Sequence, residues 1–88
     1  MKHSSHPDIV LRLKRAEGHL RSLIGMIEAK RPCLELAQQL HAIENAIGNA
    51  KRELIHDHME HCLDEGVVGG EKAARAALRE FRALTKYL

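Results

Sequence analysis

The chain has 88 residues, enough for one domain with a thin core, so self-association is expected from the outset. It holds one Phe, one Tyr and no Trp, which argues against a base-stacking platform for single-stranded nucleic acid, and no apolar run approaches the ~20 residues of a membrane span. Net charge is only +2, but residues 1–31 carry seven basic and three acidic side chains, residues 53–65 five acidic and none basic, and residues 71–88 five basic and two acidic, a distribution that can present a cationic face to a polyanion.

Residues 1–6 read as a flexible N-terminal arm. The apolar cluster near Ile9 is broken by Arg12, Lys14 and Arg15, so nothing resembles a signal peptide and a cytoplasmic protein is expected. A first helix is predicted over 7–31. Ser5 or His6 caps it, Pro7 suits the first turn and Asp8 favours the positive end of the dipole. Its apolar face is Ile9, Leu13, Ala16, Leu20, Leu23, Ile24 and Ile27; Arg12, Arg15, His19 and Ser22 share the opposite face. Pro32 ends it by disfavouring helical geometry at Arg31.

A long second helix is predicted over 33–65. Leu36, Leu40, Ile43, Ile47, Ala50 and Leu54 alternate steps of four and three, a seam that wants a partner helix along its length. Gly66–Gly70, "GVVGG", reads as a breaker. The third helix, over 71–87, is expected to bury Ala74, Ala77, Leu78, Phe81 and Leu84. With no strand-like alternation, the fold class is all-α, one domain of three helices. The unused part of the second-helix seam points to a dimer built on that helix.

Chemistry concentrates at "HDHMEHC", residues 56–62. His58 and Cys62 are four apart and share a helix face, so the pair can chelate one metal ion, although such pairs also occur as plain surface chemistry. His56 and His61 fall off that face and read as solvated or dimer-contact residues, His19 and His41 as structural or exposed polar ones. Two ligands are too few for a tight site. Two cysteines in a small cytoplasmic protein are more often ligands or redox groups than a disulfide, and Cys33 is the natural third ligand. It precedes His58 by 25 residues, roughly 37 Å along a continuous helix. It therefore cannot reach within one chain. If two second helices pair antiparallel, Cys33 of one copy meets His58 and Cys62 of the other, and the dimer holds two equivalent sites. His3 and His6 can swing in as added ligands. No nucleophile and base stand with an orienting third group, so an enzyme is not expected.

The segment "RLKRAEGHLRSLIGMIEAKRPCLELAQQLHAIENAIGNAKRELIHDHMEHCL" resembles the CsoR/RcnR family of bacterial metal-sensing transcriptional repressors. The likeness runs from about Ile9 to Leu63 and fades in the third helix. It rests on R-L-K-x-x-x-G-H-L at Arg12–Leu20, the cysteine before the second helix, Q-Q-L-x-A-I at Gln38–Ile43, and H-x-x-x-C at His58–Cys62. The resemblance implies a disc-like homotetramer, a dimer of dimers without a helix-turn-helix. It implies double-stranded operator DNA bound by the metal-free protein and released when metal binds. It also implies the ligand set Cys33, His58 and Cys62 shared between subunits, and Arg12 at a DNA-contact position, with Lys14, Arg15 and Arg52 as helpers on the phosphates.

Two sulfurs and one imidazole suit Cu(I). The family's copper sensors place a tyrosine before the first cysteine and a glutamate in the third helix. Here Pro32 precedes Cys33, and Ala77 or Leu78 falls near the glutamate's place, with Glu80 as a weak substitute. Its nickel and cobalt sensors add an N-terminal histidine, a role open to His3 or His6 for Ni(II) or Co(II). Formaldehyde- and persulfide-responsive relatives form an alternative. Lys2 stands where the former carry proline, and His58 where the latter lack histidine. A metal-buffering or metallochaperone protein is the alternative of another class.

Overall fold

The computed structural model describes residues 6–88. Among them every regular element is an α-helix: α1 (His6–Glu28), α2 (Cys33–Val68) and α3 (Gly70–Thr85). The all-α, three-helix architecture is therefore as expected. The packing divides into two compact units, residues 6–50 and residues 51–88, and α2 contributes to both. No helix among the described residues is long and apolar enough to cross a membrane.

In the first unit the core is spaced by sevens. Ile9, Ala16 and Leu23 are buried on α1, and Ile43 and Ala50 on α2. A strict seven-residue spacing buries only a narrow strip of each helix. The rest of the expected apolar faces stays open: Leu13, Leu20, Ile24 and Ile27 on α1, and Leu40 and Ile47 on α2, are exposed. A polar bond joins the two helices. His19 Nε2 lies 2.5 Å from Gln39 Oε1, the ring N–H donating to the amide oxygen. His19 is thus structural, and the bond joins two separated sequence motifs, the Gly18–Leu20 and Gln38–Leu40 segments.

Helix α1 starts at His6 and stops at Glu28, three residues short of the expected end. The reason is a left-handed cap rather than Pro32. Lys30 has φ 58°. The Arg31 N–H donates to the Met26 carbonyl at 3.1 Å and the Lys30 N–H to the Ile27 carbonyl at 3.0 Å. These are the two bonds of a Schellman motif, whose left-handed position normally holds glycine. A lysine there carries ~1 kcal/mol of backbone strain. Lys30→Gly should therefore raise stability by about 0.5–1 kcal/mol, the relief of strain less the extra freedom glycine gives the unfolded chain, read as a higher urea midpoint. Pro32 instead begins α2, its carbonyl accepting from the Leu36 N–H at 3.1 Å. Glu35 sits in α2's first turn, where the dipole favours it, and takes a forked pair of bonds from Arg31 at 2.9 and 3.1 Å.

In the second unit Ile55, Met59 and Cys62 are buried on α2. Here the expected boundaries move. Helix α2 does not stop at 65 but runs through Gly66 to Val68, and α3 starts at Gly70. Gly66 is a notch for a neighbouring helix. A Cβ placed on it would lie 3.2 Å from the Ala77 Cβ and 3.5 Å from the Ala74 Cα, so its missing side chain is what lets α3 approach. The turn falls four residues later, where Gly70 takes φ +84°, a conformation glycine adopts at little cost. The packing face of α3 also differs from expectation. Ala73, Ala77, Phe81 and Leu84 are half-buried, whereas Ala74 and Leu78 are exposed. The latter two border an open apolar cleft of about 540 Å³ with Leu63, Val67 and Phe81.

Candidate metal centre

Helix periodicity places His58 and Cys62 one turn apart on α2, and the close approach allowed by Gly66 brings α3 alongside. The result is a three-residue cluster. His58, Cys62 and Glu80 each offer a ligand atom, and these atoms all lie within 4.8 Å of one another. Glu80 is the hub. Its Oε1 accepts from His58 Nε2 at 2.6 Å, and its Oε2 accepts from the Cys62 thiol at 3.5 Å.

The electrostatics follow from this geometry. The Cys62 thiol is pushed above its ordinary pKa, first by burial, then by its bond to Glu80 and by the negative charges of Glu80 and Glu65. Glu80 is pulled below the usual carboxylate range, first by its bond from His58 and then by the bond from Cys62, against a smaller desolvation effect. The signs are opposite in consequence. Glu80 contributes to stability at pH above its unfolded value and loses that contribution as pH falls through the lowered one. Cys62 contributes below its unfolded value and loses it as pH rises through the raised one.

A transition ion bonded at about 2.0–2.3 Å holds neighbouring donors roughly 3.5–4 Å apart. Cys62 and Glu80 already stand at that spacing, whereas His58 and Glu80, 2.6 Å apart, must open by about an ångström, which the exposed Glu80 side chain, 52% accessible, can supply. One thiol, one imidazole and one carboxylate fit a first-row transition ion.

The other expected site residues are distributed as follows. Cys33 is exposed at the first residue of α2 and is not a member of the cluster. His3 lies outside the described residues, as do Lys2 and Ser5. His6 does not belong to an arm: it is the first residue of α1, half-buried. His56 is exposed and His61 half-buried. Arg12 and Arg15 are brought together with His19 and Asn49 around a cleft of about 280 Å³ in the first unit. Arg12 Nε also pairs with Asp8 Oδ2 at 3.1 Å, an exposed pair worth at most about 1 kcal/mol. Lys14 is exposed but two residues from Arg12, hence on another side of α1. Arg52 is exposed in the second unit.

Glu80 is the residue that sequence reasoning undervalued. It is no weak substitute: it bonds both members of the H-x-x-x-C pair. Its signal was available in the charge pattern, as the one acid in α3 beyond the first turn.

A family profile described as "Metal-sensitive transcriptional repressor" matches residues 5–87. The chain belongs to this family. The chain is 35% identical over 80 residues to the copper-sensing transcriptional repressor CsoR of Bacillus subtilis, a match covering 89% of this chain and 79% of the relative. It is 34% identical over 76 residues to CsoR of Mycobacterium ulcerans, covering 86% of this chain but 63%, just under two thirds, of that longer protein. The copper-sensing repressor RicR of Mycobacterium tuberculosis is 32% identical over 72 residues, with 82% and 75% covered. Among solved structures, the nickel-responsive transcriptional regulator InrS superposes with a TM-score of 0.79 at 32% identity, covering 100% of this chain and 98% of that one. These relatives are transcriptional regulators, not enzymes.

If Cys62 is a ligand, its raised pKa means that metal must displace a tightly held proton. Affinity is expected to rise by about tenfold per pH unit for this thiol alone between about pH 6 and pH 8. Competition against a chelator of known proton dependence measures it. A flat profile would exclude the Cys62 thiolate as a ligand.

Proposed function

We propose that the chain is a cytoplasmic, metal-responsive repressor that binds double-stranded operator DNA when metal-free and releases it on binding Cu(I). The observation that carries the reading is the His58–Cys62–Glu80 cluster, because it joins a ligand pair on α2 to an acid on α3. His58 and Cys62 hold the ion together with Cys33 of a second copy, the antiparallel pairing that the reach of α2 calls for. Glu80 then exchanges its proton-bearing partners, His58 N–H and Cys62 S–H, for a position beside the bound ion. Support for self-association comes from the open apolar strips of α1 and α2, which a single chain leaves exposed. The working assembly is a homodimer paired into a homotetramer.

Contacts to DNA are led by Arg12 and Arg15 at their shared cleft, with Lys14 and Arg52 adding phosphate contacts. The ion favours an arrangement of subunits whose basic face no longer matches the duplex, and by linkage DNA weakens metal binding by the same factor.

A second reading, Ni(II) or Co(II), is favoured by one specific feature. Glu80 offers a carboxylate oxygen within the cluster, a donor suited to a harder ion of higher coordination number, with His3 or His6 as a further ligand. The experiment titrates Cu(I), Ni(II), Co(II) and formaldehyde separately against the complex of the protein with its own promoter DNA. Release by Cu(I) alone, unchanged in His3→Ala/His6→Ala, supports the copper reading. Release by Ni(II) that the double variant loses supports the second. Release by formaldehyde alone would overturn both. Failure of the metal-free protein to bind the DNA would favour a metal-buffering role.

A further inference from the structure

Helix α3 and its C-cap residue carry five cations on one narrow face. Lys72, Arg75, Arg79, Arg82 and Lys86 follow at steps of three, four, three and four, and all are exposed. At ~100° per residue they fall within an arc of roughly 80° and form a stripe about 21 Å long. The half-buried residues Ala73, Ala77, Phe81 and Leu84 occupy the opposite side of the helix. Packing therefore makes no use of the stripe.

The acids of α3 do little to neutralise it. Glu71 is bonded to Arg75 at 2.7 Å. Glu80 lies away from the stripe and is engaged by His58 and Cys62. Lys72, Arg79, Arg82 and Lys86 hold no carboxylate partner among the described residues. The helix dipole accounts for cations near the C-terminus, Arg82 and Lys86, but opposes Lys72 in the first turn. An ordinary solvated helix intersperses acids four residues ahead of its cations; here Glu71 ahead of Arg75 is the one such pair.

We propose that this stripe is a second phosphate-contacting surface for duplex DNA, separate from the Arg12 and Arg15 cleft; it rests on the repressor reading above. A duplex offers one negative charge per ~1.7 Å of axis, so a line of cations about 21 Å long meets enough phosphates to engage every member. The rival polyanion is an anionic membrane surface. A helix lying in that interface needs its apolar face free to enter lipid, whereas Phe81 and Leu84 of α3 are half-buried within their own unit.

The test uses the full-length protein and the variant Arg75→Gln/Arg79→Gln/Arg82→Gln, with Arg12→Ala in parallel. Binding to duplex DNA of the protein's own promoter region is followed by fluorescence anisotropy over a range of salt. The stripe predicts weaker binding by the triple variant and a slope of log K against log salt shallower by about 0.9 for each phosphate that the variant no longer neutralises. Helical circular dichroism and metal affinity stay unchanged, and Arg→Lys at the same three positions keeps the slope. A triple variant with the wild-type slope, while Arg12→Ala binds weakly, overturns the stripe and leaves the repressor reading standing. Weaker binding without a change in slope also overturns it. So does a variant that loses binding only to phosphatidylserine vesicles. A wild-type protein that binds no DNA removes both readings.

Discussion

Cys62→Ala should remove the metal response while leaving metal-free DNA binding intact. Cys62 is the buried member of the cluster, 6% exposed, and belongs to the second unit, whereas the Arg12 and Arg15 cleft belongs to the first. Losing one thiolate from a set of three should lower metal affinity by more than the roughly 10–100-fold typical of residues that only orient a ligand. Glu80→Gln supplies the contrast. If Glu80 orients His58 without touching the ion, its replacement should fall inside that 10–100-fold range. If it is a ligand, as the Ni(II) or Co(II) reading holds, the loss should match that of Cys62→Ala. Chelator competition gives the affinities, and anisotropy of the DNA complex with added metal gives the response. A Cys62→Ala protein that still releases DNA at wild-type metal concentrations would falsify the proposed centre. The substitution removes one buried sulfur, so a thermal melt should show only a modest loss of stability.

The second large effect is on the fold. Gly66→Leu is expected to destabilise the protein by about 1–3 kcal/mol, the usual result of forcing carbons into a closed contact. The first added carbon already meets the Ala77 Cβ at 3.2 Å, and three more follow. Treating Gly66 as an ordinary helix glycine leads to the opposite sign, because replacing glycine by a good helix former gains up to ~1 kcal/mol. Urea unfolding therefore distinguishes a notch from a breaker by the direction of the change. Displaced α3 also carries Glu80 away from His58, so the variant should bind metal more weakly even where it remains folded.

These two positions show how far the residues could be read. The His58 and Cys62 pair was legible because a four-residue step on a helix fixes which side chains are neighbours, whatever surrounds them. The heptad-like spacing likewise announced α2. The "GVVGG" segment was read differently from how it folds. Glycine both weakens a helix and permits close helix packing, and only the neighbouring helix decides which role dominates. The end of α1 failed for a related reason. Lys30 in a left-handed cap breaks a local preference, and residue type alone gives no warning of it.

The α1 apolar face shows the same limit. Seven apolar residues share the predicted stripe, yet three are buried in the chain described, Ile9, Ala16 and Leu23. Periodicity identifies a surface that avoids water but not which neighbour covers which part of it.

By itself, then, the sequence determined the helical class, the long α2, the His58 and Cys62 neighbours on it, and the clustering of cations toward both ends. Each of these depends on spacing along one helix or on the span of one. The tertiary structure alone decided that α2 passes through Gly66, that His19 bonds Gln39 across two helices, and that Glu80 bridges His58 and Cys62. Each of those requires two helices to meet at a particular register and rotation. Their partners stand 18 to 22 positions apart in the bonded pairs, and their register is set by how closely backbones can approach, which at α2 and α3 is governed by one absent side chain.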